Sequence, residues 1–180
     1  LWASYYGGAG NDLGFSVATD AAGNVYMAGR TNSPAGIASG GFQNVYGGGV
    51  SDAFLVKFDT GGNRLWASYY GGAGYDYGGY SVATDTAGNV YLAGGTDSPV
   101  GIASGGFQNV YGGGLYDAYL AKFDASGNYL WASYYGGASQ DDGYSVATDA
   151  SGNVYLAGQT DSPADIASGG FQNVYGGGLS

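Results

Sequence analysis

Residues 15–29 read FSVATDAAGNVYMAG, and the phrase returns as YSVATDTAGNVYLAG at 80–94 and YSVATDASGNVYLAG at 144–158. In the first copy, Ser16 to Asp20 and Val25 to Gly29 are short runs of strand-forming residues. The turn between them closes on Gly23-Asn24, two residues that tolerate the positive φ of a tight hairpin. A second hairpin follows in DAFLVKFDTGGNRLWASYY (52–70), where the turn TGGN pairs Ala53 to Phe58 with Leu65 to Tyr70. Each full unit thus predicts four antiparallel strands. The hairpins are joined by RTNSPAGIASGGFQNVYGGG (30–49), whose Gly, Ser and Pro are loop chemistry. Ile37, Phe42, Val45 and Tyr46 are its expected apolar anchor, and the YGGG run a flexible lead into the next strand.

Working outward, the whole chain is this unit repeated. Repeat 1 runs over 1–64, repeat 2 over 65–129 and a truncated repeat 3 over 130–180, each opening on LWASYYGG. One extra Gly separates YDYGGYS in repeat 2 from NDLGFS in repeat 1. Four short strands per repeat predict an all-β protein built of β-propeller blades. The strands carry apolar residues on both sides: Leu65, Ala67 and Tyr69 alternate with Trp66, Ser68 and Tyr70. Both faces must therefore be covered, and blades must stack on one another. Bulky Trp66 and Tyr91 beside tiny Ala93 and Gly94 let neighbouring faces interdigitate.

Composition agrees. The chain holds 39 Gly and 19 Tyr, with no Glu among its 14 acidic residues and only four Lys and Arg, so straight-chain helix formers are scarce. A net charge of −10 leaves nothing to neutralise a run of phosphates, which excludes nucleic-acid binding and disfavours anionic membranes. No stretch has the length and apolarity of a membrane-spanning helix, and no signal peptide is visible. The missing initiator Met suggests a processed or excerpted chain. Zero Cys excludes a disulfide framework.

The phrases YYGGAGNDLGFSVATDAAGNVYMAGRT and GGFQNVYGGGVSDAFLVKFDTGGNRLWASYYGG resemble the SBBP-type bacterial β-propeller repeat, three times over along the chain. The resemblance implies a secreted or surface-exposed modular protein and brings no catalytic residues. By analogy with related propellers, SVATD and NVYLAG form the inner strand pair of a blade, DAYLAKFD and LWASYY the outer pair. In that order the chain opens on an outer edge strand, Leu1, Trp2, Ala3, Ser4, Tyr5 and Tyr6, whose DAYLAKFD partner is missing, and it closes on an inner pair. Blades are then incomplete at both ends, and the bare edge is an expected site of self-association.

Little chemistry stands out. Asp12, Asp76, Asp141 and Asp142 lie in GAGNDLG, GAGYDYGG and GASQDDG, where Ca²⁺ ligation is one reading and a structural turn role the other. An EF-hand spacing is absent. Asp20, Asp85 and Asp149 precede the hairpin turns and are expected to bond their backbones. The YGGG runs lack the Lys-Ser/Thr of a phosphate loop. Without His or Cys there is no Ser-His triad, thiol nucleophile or His-based metal site, so no enzyme is expected. Trp2, Trp66 and Trp131 share one strand phase, which fits packing better than a sugar platform. Where the repeats differ is the better place to seek a ligand: Asn11, Tyr75 and Gln140; Arg30, Gly95 and Gln159; Gly36, Gly101 and Asp165. The expectation is a non-enzymatic extracellular structural protein that assembles into a filament or surface layer; the alternative is a lectin-like or adhesive propeller binding glycan or protein by its loop tips.

Overall fold

The computed structural model describes residues 1–177, which carry ten β-strands and no helix. Strands β1 (Asp12–Thr19), β2 (Val25–Thr31), β3 (Asp52–Phe58) and β4 (Arg64–Tyr70) form one antiparallel sheet in that order. Strands β5 (Asp76–Thr84), β6 (Val90–Thr96), β7 (Asp117–Phe123) and β8 (Tyr129–Tyr135) repeat it. The third repeat contributes an inner pair, β9 (Asp141–Thr148) and β10 (Val154–Thr160).

The inner hairpins close as their sequence dictates. Asp20 Oδ1 accepts the N–H groups of Ala22 and Asn24, its Oδ2 accepts Asn24 Nδ2, and Gly23 takes φ 81°. Asp85 and Asp149 do the same in their repeats, and Asp59 and Asp124 in the outer hairpins. The short aspartate arm thereby replaces backbone partners that a two-strand turn leaves unmade. Strand β1 begins earlier than Ser16, because Asp12 is pinned at its start, and it crosses a bulge between Gly14 and Ser16.

Three other expectations change. Leu1 to Tyr6 form no strand, since no described strand stands beside them to complete a ladder; Leu1 and Tyr5 are fully exposed. The YGGG run is no loose lead: a methyl group on Gly49, held at φ +62°, would stand 1.7 Å from Gly74 O, so two glycine-rich segments run backbone against backbone. Of the loop anchor, Ile37 is buried and Tyr46 packs edge-on to Tyr69, whereas Val45 is 76% exposed because nothing faces it. Phe42, half exposed, stacks instead on Tyr129 of the next repeat at 4.8 Å.

The main core lies between sheets rather than within one. Tyr26, Leu55, Trp66 and Tyr70 of the first blade meet Val82, Leu92, Tyr119 and Phe123 of the second. Polar groups stitch the same joint. Val82 N–H donates to Ser16 Oγ (3.1 Å), Thr84 Oγ1 to Thr19 O (2.8 Å), Tyr70 Oη to Ile102 O (2.6 Å) and Trp66 Nε1 to Ala125 O (3.1 Å). At the second joint Val146 N–H donates to Ser81 Oγ (3.1 Å), Thr148 Oγ1 to Thr84 O (2.8 Å) and Tyr135 Oη to Ile166 O (2.5 Å). The opening segment obeys the same rule without being a strand: Trp2 Nε1 donates to Thr60 O and Tyr6 Oη to Ile37 O. Recurring residues therefore meet recurring partners at each joint.

Candidate functional site

Two kinds of polar cluster lie on the side of the blades where the long connections and the crossovers between repeats run. The first is built from recurring aspartates. Asp12, at the start of β1, accepts Thr31 Oγ1, Ser33 Oγ and Gly8 N–H. Asp76 accepts Thr96 Oγ1, Ser98 Oγ and Gly72 N–H. Asp141 accepts Ser162 Oγ and Gly137 N–H, both at 2.8 Å. These carboxylates thus lock the crossover onto the end of the second strand. Asp142 instead accepts Gln140 Nε2 at 2.9 Å. Among the described residues no three acidic side chains gather into a metal-holding group.

Sequence reasoning passed over a second aspartate, the first residue of β3 and β7. Asp52 and Asp117 are fully buried, each accepting one glycine N–H at 2.6 Å, from Gly47 and Gly112, while Oδ1 of each has no hydrogen-bond partner. The available signal was recurrence, since both stand between a glycine run and an apolar strand. A methyl group on Gly71 would lie 2.6 Å from both Asp52 Cγ and Asp76 Oδ2, so two buried carboxyl groups flank that glycine. Burial pushes Asp52 up to about 7, with the Asp76 charge adding to it and the Gly47 N–H opposing it. Burial likewise raises Asp76 and Asp117 to about 6.

The pH dependence follows from the sign of these shifts. The folded protein binds these protons at a pH where an unfolded carboxyl, near 4, has already lost them, so stability falls as pH rises from about 4 to about 7. Thermal unfolding followed by circular dichroism should have a midpoint several degrees higher at about pH 5 than at about pH 8, and Asp52→Asn should shrink that difference. At lower pH the turn aspartates reverse the trend. Burial opposes their ionisation at Asp20 and Asp85, but the hydrogen bonds from Asn24 and Asn89 outweigh it and hold both below the ordinary range.

The second cluster is made of residues that do not recur. Arg30 and Tyr75, 45 positions apart, meet at the first joint: Arg30 Nη1 hydrogen-bonds Tyr75 Oη and its guanidinium lies 5.6 Å from the ring centroid. Tyr77 lies beside Tyr75 with centroids 3.9 Å apart and planes tilted by 32°, and it meets Tyr116 edge-on at 4.1 Å, the last two also joined by their hydroxyls. At the second joint the missing side chain of Gly95 leaves room for Asp142, whose Oδ1 lies 2.6 Å from where a Gly95 Cβ would stand. Gln140 Nε2 donates to Asp142, and the Tyr144 hydroxyl, near Asp142 Oδ2, donates to Gln159 Oε1 at 3.1 Å. One aromatic per repeat, Phe15, Tyr80 and Tyr144, forms a stripe with centroids 5.6 and 5.8 Å apart. Two of the three divergent sets thus converge. The third does not: Gly36, Gly101 and Asp165 occupy exposed turns at positive φ.

The SBBP pattern, a beta-propeller repeat, matches residues 1–37, 65–101 and 130–166. The chain belongs to the SBBP beta-propeller repeat family. Each SBBP match starts at an LWASYYGG segment and ends just past the inner hairpin, so it spans the crossover locked by Asp12, Asp76 or Asp141. A WD repeat-containing protein of Acanthamoeba polyphaga mimivirus is 27% identical over 183 residues, covering 88% of this chain and 13% of that protein. The regulatory protein FlaEY of Caulobacter vibrioides is 28% identical over 125 residues, 63% of this chain and 12% of that protein. The chain spans about an eighth of the length of these relatives.

Proposed function

We propose that this SBBP array is a non-enzymatic extracellular structural protein whose blades continue stacking beyond the chain, joining further copies into a filament or surface layer. One observation carries the reading: the joint is built from the same contacts at each step, and the outer faces of the first and last blades carry the residues that make it. Val82 and Val146 face the preceding blade and are 5% and 6% exposed, whereas Val17, at the same place in the first blade, is 69% exposed. At the other end Trp131, whose counterparts Trp2 and Trp66 sit on the turn glycines Gly62 and Gly127, lines an open groove of about 530 Å³ with Val154 and Leu156. A head-to-tail contact of this kind grows into a ring or a fibre according to its rotation. Recurring polar side chains support the same reading, because they are engaged in turns, crossovers and joints.

Negative-stain electron microscopy and sedimentation test it. Rings or fibres should form, and Val17→Asp, which places a charge on the open face, should disperse them. Particles of 18.0 kDa at every concentration would refute assembly.

A second reading, adhesion to glycan, is favoured by where the repeats diverge. The differences gather at the connection-side end of the inner strands and supply arginine, tyrosine and side-chain amides.

A further inference from the structure

Resting on that adhesive reading, we propose that the cleft between the first and second blades, walled by Tyr75 and Arg30, binds the terminal ring of a neutral saccharide. The cleft measures about 90 Å³ and is also lined by Asn11, Asn32, Val50 and Ser51. At roughly 30 Å³ per water, it holds about three waters, the volume of the hydroxylated edge of one sugar ring rather than of a chain. The rest of the ring would lie over the half-buried tyrosines outside it.

Three features argue for a built site. First, the tyrosine is held in place before any ligand arrives. Arg30 grips its hydroxyl, with its guanidinium carbon 5.6 Å from the ring centroid, and Tyr77, itself braced by Tyr116, backs one face. Such a platform loses little side-chain freedom on binding. Second, the polar lining is amide, hydroxyl and guanidinium. These planar or paired groups match vicinal hydroxyls, while an aromatic face suits the C–H side of a pyranose. Third, the cleft breaks the repeat symmetry. The equivalent positions at the second joint are Tyr75, Gly95, Asp97, Leu115, Tyr116 and Gln140, which replace a guanidinium and an asparagine with nothing and a carboxylate. A purely structural joint gains nothing from that difference, since the recurring hydrogen bonds are made at both.

The ligand is neutral on electrostatic grounds. The cleft holds a single guanidinium, Asp12 and Asp76 open the neighbouring strands, and the chain carries −10 overall. A phosphate, sulfate or sialic acid would have only that one cation to set against the field of the surrounding carboxylates.

An array of neutral, sialylated and sulfated oligosaccharides, probed with the whole chain, tests the proposal, with calorimetry on the strongest hit. Binding should be confined to neutral glycans. Tyr75→Ala and Arg30→Ala should each weaken it at least tenfold, while Tyr155→Ala, at an exposed position of strand β10 in the third repeat, should leave it unchanged. Asn11→Ala, an exposed change that spares the aromatic stack, should also weaken binding if circular dichroism shows that the other variants disturb the fold. Neutral-glycan binding indifferent to Tyr75, Arg30 and Asn11 would overturn the site and leave the adhesive reading standing. Binding only to acidic glycans would overturn the neutral class. No binding at all would overturn the site and the adhesive reading together.

Discussion

Trp66→Ala should cost about 3–5 kcal/mol, as expected for emptying a fully packed indole site, whereas Trp2→Ala should cost about 1 kcal/mol. The two residues hold the same position in the repeat, yet Trp66 is 5% exposed and Trp2 39%. Trp66 packs edge-on to Tyr26 of its own blade and lies against Gly127, where a Cβ would stand 2.7 Å from the indole. Its N–H meets the carbonyl of Ala125, which also accepts Lys57 Nζ. Alanine leaves that carbonyl with one partner fewer and opens a cavity between two sheets. Lys57 would feel the loss, because it is otherwise held by Asp20 at 3.5 Å and by the Tyr26 ring at 4.9 Å. Urea unfolding of the two variants measures the contrast. Equal costs would mean that the segment 1–6 is packed as tightly as β4.

The second large effect is expected at Gly94→Ala, about 3 kcal/mol through overpacking. Its Cβ would stand 2.0 Å from Gly78 O and 2.7 Å from Tyr119 Oη. The carbonyl belongs to the bulged strand β5 and accepts the buried Tyr119 hydroxyl at 3.2 Å. Neither can retreat without breaking the ladder or the hydroxyl contact. Gly88→Ala is the contrasting case. Its Cβ meets only Ala125 Cβ at 3.6 Å, so its cost is backbone strain from φ +82°, about 1 kcal/mol. A Gly94 variant no less stable than the Gly88 variant would show that the bulge yields.

Much of this architecture is legible in the sequence because it is local and repeated. The Asp-x-x-Gly-Asn turns, the strand runs on either side of them and the division into units follow from residues within a few positions of one another. Asp20 bonds Asn24 in the fold as the turn chemistry requires. What stays hidden is set by stacking. Nothing in SVATD says that Ser16 accepts a backbone N–H 66 residues away, or that Asp52 loses its water between two glycine segments. Divergence among the repeats could be tabulated from sequence, but not its convergence. Arg30 and Tyr75 belong to different repeats, and only the joint brings them together. The opening LWASYY shows the converse limit. Its residues are those of a strand, yet ladder formation needs a neighbour, and here only Trp2 and Tyr6 find their places.

The central claim is that each blade is joined to the next by one recurring set of contacts, leaving one half unmet on the first blade. Amide hydrogen exchange of the dilute monomer tests it most directly, at three equivalent residues. Val82 and Val146 donate their N–H groups to Ser16 and Ser81 of the preceding blade, whereas Val17 stands on the open edge. The account predicts strong protection at Val82 and Val146 and fast exchange at Val17. Equal exchange at all three would contradict it.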